Sequence, residues 1–350
     1  MFSINQIIEK RSEFNLETHI AFIDFQKAFD SVNRTKLWEI LQESGYPPHL
    51  IKVVKSLYRD TKVIIETGNF RSDEIATNRG VRQGCGLSPA LFNIYLDDVI
   101  RKWKAEIHTG ITINENCLIG CLLFADDLII LQNSEDDLQR AVYKLSNLCQ
   151  KYKLRISAQK TKVMAFKGKE PVRSKIVLNN GTLEQLSNFN YLGCDISYRK
   201  GKDTINKIHR FQNICGTIHR TLKNNASKST RLKFYKTIAV PTLLYGCETW
   251  VLSKPDESRL QASEMRFLRR TYGCSREDRL RNTEIRKQLN VFSINEKVSE
   301  SRLKWYEHVS RMSENRIPKL VLDYRPEGRR DRGRPRKRWT DMRFGTGRDA

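Results

Sequence analysis

Apolar and polar positions follow two regimes along this chain. Short apolar runs bounded by turn residues read as buried strands: THIAFIDF at 18–25, TKVIIET at 61–67, and a strand, turn, strand over 118–131. Between them, apolar residues recur at helical spacing. Leu37, Ile40 and Leu41 mark a helix in RTKLWEILQES that stops at Gly45, and HLIKVVKSLYRD follows Pro47–Pro48. ALFNIYLDDVIRKW, opened by Pro89, predicts another. Ser134, with Asp136 and Asp137 behind it, predicts a capped helix to about Lys151. Short strands are expected near 162–167, 175–178 and 189–193. From about 203 the spacing is helical, in TINKIHRFQNICGTIHRTLK, STRLKFYKTIAVPTLLYG and SRLQASEMRFLRRTYG. The fold class is therefore α+β, a mixed or antiparallel sheet followed by a mainly α-helical region.

One apolar run carries an expensive interruption. In LLFADDLIIL, residues 122–131, Asp126 and Asp127 stand adjacent at the centre of otherwise apolar positions. Burying two carboxylates is unfavourable unless something compensates their charge. FIDFQKAFD repeats the theme, with Asp24 directly after Phe22–Ile23 and Asp30 further on. Two strand ends meeting at one sheet edge would let Asp24 and Asp126, with Asp127, bind two divalent cations about 3.5–4 Å apart. Mg²⁺ suits carboxylate oxygens completed by substrate phosphates, with Mn²⁺ as a substitute. Between these runs lies GVRQGCGLSPALFNIYLDD, whose glycines admit close backbone approach and whose Arg82 and Gln83 offer donors to a base, sugar or phosphate. Asp30 is expected to be structural, and Asp97–Asp98 to sit at an exposed helix end.

Charge divides the 350 residues. Residues 1–198 hold 26 Lys and Arg against 23 Asp and Glu, whereas 199–350 hold 37 against 17. The second part thus carries +20 of the total +23, a field suited to polyanions such as nucleic acid. Mean hydropathy is −0.57, and no run approaches the 18 or more apolar residues of a membrane span. Nor does MFSINQIIEKRSEF resemble a secretory signal, so an intracellular location, the nucleus or else the cytoplasm, is expected with no membrane partner. The eight cysteines are scattered through apolar surroundings, with only Cys117 and Cys121 close together. They read as reduced thiols rather than as a zinc site. The Arg-dense segment from about 325, RPEGRRDRGRPRKRW, reads as disordered on its own.

AFIDFQKAFDSV, GVRQGCGLSPALFNIYLDD, LLFADDLIIL, KYKLRISAQKTKVMAF and NFNYLGCDIS stand in the order and spacing of reverse transcriptases, and the chain most resembles those of non-LTR (LINE-type) retrotransposons. The likeness covers roughly residues 5–200, and YGCETWVL, RLKWYEHVSRM and GRPRKRW extend it into the C-terminal region. It implies a right-hand polymerase palm at 1–198 with the fingers largely absent, a helical thumb at 199–324, and a basic tail at 325–350. It also implies an RNA template, a DNA primer or target, and dNTPs. Carried over by position, Asp24 is the first metal-binding aspartate, and Asp126 and Asp127 are the palm pair. Phe29 is a gate beneath the sugar, and Gln83 and Gly84 line the nucleotide pocket. Lys160 lies near the triphosphate as a proton donor to pyrophosphate, and Tyr191, Leu192 and Gly193 grip the primer end.

The RGRP core in the tail resembles an AT-hook. That makes Arg332, Arg334, Arg336, Lys337 and Arg338 candidate nucleic-acid contacts, with a nonspecific basic arm or an import signal equally compatible. Two departures from the family pattern stand out. Ser157 replaces a customary asparagine, and only about 20 residues precede Asp24, which suggests a fragment of a longer polyprotein, a truncated gene copy or a partial gene model. The rival expectation is a catalytically inactive remnant that binds nucleic acid. A group II intron-type or telomerase-like polymerase fits the palm chemistry equally but the tail less well.

Overall fold

The computed structural model describes residues 1–115, 117–199, 201–222, 226–330, 333 and 336–341. The chain divides into two compact units. The sheet unit comprises residues 17–166 and 171–186, and the helical unit comprises 1–16, 167–170 and 187–350. This division does not follow the expected boundaries at 198/199 and 324/325, since the first helix and the 188–197 hairpin both group with the helices. Lys10 of that first helix, Phe2–Glu13, shows why. Its ammonium donates to Val321 O at 2.8 Å, Leu322 O at 2.6 Å and Tyr324 O at 2.8 Å, satisfying carbonyls that the end of helix Ile317–Asp323 leaves open.

In the sheet unit, strands β1 (Glu17–Ile23), β2 (Cys121–Phe124), β3 (Asp127–Gln132) and β4 (Lys162–Lys167) lie in the order β4–β1–β3–β2. β1 and β3 pair antiparallel from His19 opposite Gln132 to Ile23 opposite Leu128. Nearly every side chain of both is buried, which is why their sequences read as continuous apolar runs rather than as alternation. Helix Glu135–Lys151 packs on β1 and β3, with Ser134 accepting from Asp137 N as its sequence predicts. Trp103 of helix Ser88–Glu106 is buried and donates its indole N–H to Ala141 O at 2.9 Å.

Two expectations change here. TKVIIET is not one strand: Lys62–Val63 pairs with Ile75–Ala76, and Glu66–Thr67 pairs with Phe70–Arg71. The break falls at Ile64–Ile65, in a segment that is largely exposed and has no packed element to hold it as one strand. Asp97 and Asp98 lie inside helix Ser88–Glu106, not at its end. Asp98 is buried and bonds Arg101 at 2.6 Å, Lys102 at 2.8 Å and the Tyr152 hydroxyl. Burial alone would raise its pKa, but the Lys102, Tyr152 and Arg101 hydrogen bonds outweigh it and hold the carboxyl below its ordinary value.

In the helical unit, Lys202–Thr221, Lys228–Phe234 and Lys254–Tyr272 fall on the predicted stretches, and a further helix, Ile294–Ser310, follows where none was expected. Ser253 with Asp256, and Ser293 with Glu296, form capping boxes at two of these starts. Gly273 ends one helix in the left-handed region at φ +92°. Tyr235–Ala239 is a π turn just ahead of Pro241. A proline cannot donate the usual bond four residues back, and the wider turn accommodates the missing donor. Phe211, Tyr235, Leu260 and Phe267 centre the core, with Tyr235 and Phe267 stacked at 4.8 Å. Glu264 is fully buried there, held by Arg286 at 2.6 Å and Ile294 N at 3.2 Å. All eight cysteines are free thiols. Among the described residues, no helix is long and apolar enough to cross a membrane.

Candidate active site

The β-sheet register brings the three aspartates to one strand end. Ile23 faces Leu128, so the next pair places Asp24 opposite Asp127. Phe124 pairs with Asp127, leaving Ala125–Asp126 as a two-residue hairpin turn. Ala125 takes φ +51°, the left-handed geometry that tight hairpins demand and that a Cβ disfavours. Backbone strain of this kind persists only where its surroundings enforce it. Asp126 and Asp127 are half-buried. Burial pushes the Asp127 carboxyl above its ordinary pKa, and the neighbouring Asp126 and Asp24 push it further. Asp24 Oδ2 is buried and accepts no hydrogen bond. Three carboxylates thus converge, with the exposed Lys160 ammonium, 3.9 Å from Asp24 Oδ2, as the cation paired with them at long range.

A second segment fixes Asp24 from behind. Its N–H donates to Thr161 Oγ1 at 3.2 Å, its carbonyl accepts from Ser157 N at 2.8 Å, and Gln26 N donates to Arg155 O at 2.8 Å. Ser157 Oγ in turn accepts from Lys160 N at 3.3 Å. A serine here makes the side-chain-to-backbone turn that an asparagine also favours, so the departure at 157 preserves the loop. Lys160 Nζ stands 3.9 Å from Asp24 Oδ2 with its side chain 75% exposed, free to meet an anion.

Beside Asp24 opens a cleft of about 970 Å³ lined by Lys27, Asp30, Arg79, Lys153, Arg155 and Lys160, among others. Four of these bases were not singled out in the sequence. Lys27 belongs to FIDFQKAFD, and Lys153 and Arg155 to KYKLRIS, so the motifs contained them. Their convergence needs the β1–loop contact just described. Lys27 and Lys153 both take positive φ, +46° and +57°.

The GVRQG loop reaches this cleft through one residue. Gly80 N donates to Val32 O at 2.8 Å and Val81 N to Phe29 O at 2.9 Å. A Cβ on Gly80 would lie 3.0 Å from the Asp30 backbone, so only glycine allows that approach. Gln83 then donates to Asp30 Oδ1 at 3.1 Å, and Asp30 itself lines the cleft. Arg82 is exposed and lies instead over the Tyr58 ring at 5.7 Å. Gly84 is exposed at φ +80°. Phe29 is half-buried and stacks on Phe92 at 4.7 Å.

The remaining expected site residues lie in the helical unit. Strands Asn188–Tyr191 and Cys194–Ser197 pair as a hairpin, with Leu192 at φ +48° and Gly193 at φ +74° in its turn. Tyr191 is buried, so its ring is not presented; Leu192 is half-buried and Gly193 exposed.

The tail departs from expectation. Arg338 forks onto the buried Glu13 carboxylate at 2.7 and 2.8 Å, Arg336 donates to Ser12 Oγ at 3.2 Å, and Lys337 donates to Leu252 O at 2.7 Å. Trp339 is fully buried. An aromatic anchor and a buried acid requiring a cation order residues 336–341, which composition alone marks as disordered, and occupy three side chains expected on nucleic acid. Arg332 and Arg334 lie outside the described residues.

Among the described residues, no three Asp, Glu, His or Cys side chains form a cage for an ion. The aspartate set fits a different design. Mg²⁺ commonly takes one or two carboxylates and completes its shell with water and substrate phosphate, and the unbonded Asp24 oxygen beside the crowded Asp127 supplies such a partial shell. The family described as reverse transcriptase (RNA-dependent DNA polymerase) matches residues 2–196, more than half of the chain. The chain is 28% identical over 237 residues to a retrovirus-related Pol polyprotein of a type-1 R2 element from Nasonia vitripennis, covering 65% of this chain and 22% of that one. It is 23% identical over 301 residues to the RNA-directed DNA polymerase of the mobile element jockey from Drosophila melanogaster, covering 83% and 32%. It thus spans about a fifth to a third of these relatives. A telomerase from Candida albicans, solved with a fragment of telomeric RNA, aligns with a TM-score of 0.44 at 10% identity over 83% of this chain and 52% of that one.

Proposed function

The chain belongs to the reverse transcriptase family, with relatives among non-LTR retrotransposon polymerases, and on that premise we propose that it extends a DNA 3′-hydroxyl with dNTPs on an RNA template. The observation carrying this reading is the meeting of Asp24, Asp126 and Asp127 at one strand end, with a buried carboxylate oxygen left unbonded. Asp24 and Asp126, with Asp127 beside them, would hold two Mg²⁺ ions. When bound, the ions supply activation of the 3′-hydroxyl and charge stabilisation of the departing pyrophosphate.

The chain's own residues do the rest. Lys27, Arg79, Lys153 and Arg155 bind the triphosphate electrostatically in the cleft beside Asp24. Lys160, exposed and within reach of Asp24, donates a proton to the leaving pyrophosphate. Phe29 holds its place by stacking on Phe92, giving a rigid surface against which a 2′-hydroxyl would collide. Gln83, steadied by Asp30, orients the incoming nucleotide. The +20 charge of residues 199–350 favours phosphate contacts that position the nucleic acid without reading its sequence.

Primer extension by the purified chain tests this reading. Wild-type protein with Mg²⁺ incorporates dNTPs, and Asp24→Asn or Asp126→Asn lowers the rate by at least a hundredfold with primer–template affinity retained. Unchanged extension by both variants overturns the mechanism. Salt-sensitive binding of primer–template by wild type, without incorporation even in Mn²⁺, instead identifies a catalytically inactive nucleic-acid-binding protein.

A further inference from the structure

The turn of the 188–197 hairpin is held by a residue from a distant stretch. Leu192 occupies the left-handed region at φ +48°, where a branched side chain is strained. Its carbonyl accepts a hydrogen bond from the Tyr245 hydroxyl at 3.1 Å. A Cβ at position 193 would lie 3.1 Å from Tyr245 Cε1, so glycine is what lets the tyrosine ring lie close to the turn. Despite these contacts Tyr245 is 56% exposed.

Its backbone is fixed from the other side. Lys207 is 3% exposed, and its ammonium donates to Tyr245 O, to Asp203 Oδ2 at 3.0 Å and to Cys194 Sγ at 3.1 Å. It also stands 5.4 Å from the Tyr245 ring centroid. Asp203 accepts from Trp250 Nε1 at 2.7 Å and, through Oδ1, from Asp195 N at 2.9 Å. Gly246 completes the fit, because a Cβ there would sit 2.5 Å from Cys194 Sγ. One buried cation thus ties together the hairpin, the start of helix Lys202–Thr221 and the Tyr245–Gly246 corner. An aromatic ring held by its hydroxyl and its backbone while its surface stays open is a stacking platform, which binds a base or sugar at little cost in conformational entropy.

We propose that Tyr245 is a stacking surface for a base or sugar of the primer strand, beside the Leu192–Gly193 turn, and that Lys207 is the positioning residue that holds it. This rests on the polymerase reading above. It assigns primer contact to a residue outside the hairpin, in place of the buried Tyr191.

The probe is a fluorescein-labelled DNA primer annealed to an RNA template, followed by anisotropy without dNTPs and then by extension kinetics. Tyr245→Leu is expected to weaken binding roughly tenfold, the order found for losing one base–aromatic stack. The primer KM rises in parallel, with kcat at saturating primer within about twofold of wild type. Tyr245→Trp restores binding, and Tyr143→Leu, at a ring 61% exposed on helix Glu135–Lys151, has no effect. Lys207→Met, which keeps the stem and removes the charge, weakens binding without altering the KM for dNTP. Hydrogen exchange at Leu192–Cys194 rises in this variant.

Equal affinity of Tyr245→Leu and wild type, or a loss confined to kcat, overturns the assignment of Tyr245. Unchanged binding and exchange in Lys207→Met overturns the positioning role. If wild type neither binds nor extends the primer–template, it is the polymerase reading that fails. The exposure of Tyr245 predicts an unchanged melting midpoint for its variants. Should Tyr245→Leu melt early, Tyr245→Phe carries the test, keeping the stack while releasing Leu192: affinity within threefold of wild type supports stacking, and a tenfold loss refutes it.

Discussion

Replacing Trp339 by alanine separates two accounts of the basic tail. The indole is fully buried and lies edge-on to Phe2 at 4.8 Å, with the Arg302 guanidinium 5.5 Å from its centroid. Its Nε1–H donates to Glu248 O at 2.7 Å. Truncating a buried tryptophan costs about 3–5 kcal/mol, and an unpaired Glu248 carbonyl adds about 1 kcal/mol where water cannot reach it. About 4–6 kcal/mol is therefore expected for the helical unit. For a unit of this size that is a fall of roughly 10–20 °C in melting midpoint, read by near-ultraviolet circular dichroism. A free nucleic-acid arm predicts the opposite pattern, no change in stability and a clear loss of DNA affinity. A loss under 1 kcal/mol would refute the docking argument. Arg338→Ala offers an internal check. It strips the fork from Glu13 but leaves Arg330 at 3.3 Å, so about 1–3 kcal/mol is expected. The two variants should be less than additive because they act on one contact surface.

Gly80→Ala should destabilise the sheet unit by about 1–3 kcal/mol, through its φ of +82° and the 3.0 Å approach to Asp30. It should also raise the dNTP KM by displacing Gln83; wild-type kinetics would show that the loop does not depend on this contact. Ser157→Ala should lose about 1 kcal/mol and reduce extension by loosening Lys160, whereas Ser157→Asn should retain both; equal losses would count against the turn role. In chelator, Asp127→Asn should melt above wild type, because it removes a half-buried charge crowded by Asp126 and Asp24. Adding Mg²⁺ should then stabilise wild type more than the variant. A variant no more stable than wild type in chelator contradicts the charge-crowding argument.

The local chemistry of this protein was written in short stretches. The apolar runs around Asp24 and Asp126–Asp127, the Ser134 cap and the helical spacing beyond 203 each depend on near neighbours, and each occurs where it was expected. So does the family likeness, which lives in ordered motifs. Errors arose where a residue's partner is remote in sequence. TKVIIET lacks the cover that would extend it, and Asp98 is buried because Tyr152 bonds it from another element. The basic character of 336–338 described its composition correctly and its fate wrongly, since Glu13 lies more than 300 positions away along the chain. Lys27, Arg79, Lys153 and Arg155 were visible one by one, but only folding gathers them into one cleft.

Sequence by itself determined which residues could carry charge, turn the chain or enter a core, because those properties belong to single side chains and their immediate spacing. Tertiary structure decided which of those charges remain available. A carboxylate or guanidinium commits to a partner according to distance and burial, and both are set by chain segments that meet only after folding. Thus Arg338 is held by Glu13, Tyr191 is buried and Tyr245 stays open, while Asp24 keeps a buried oxygen that accepts no hydrogen bond.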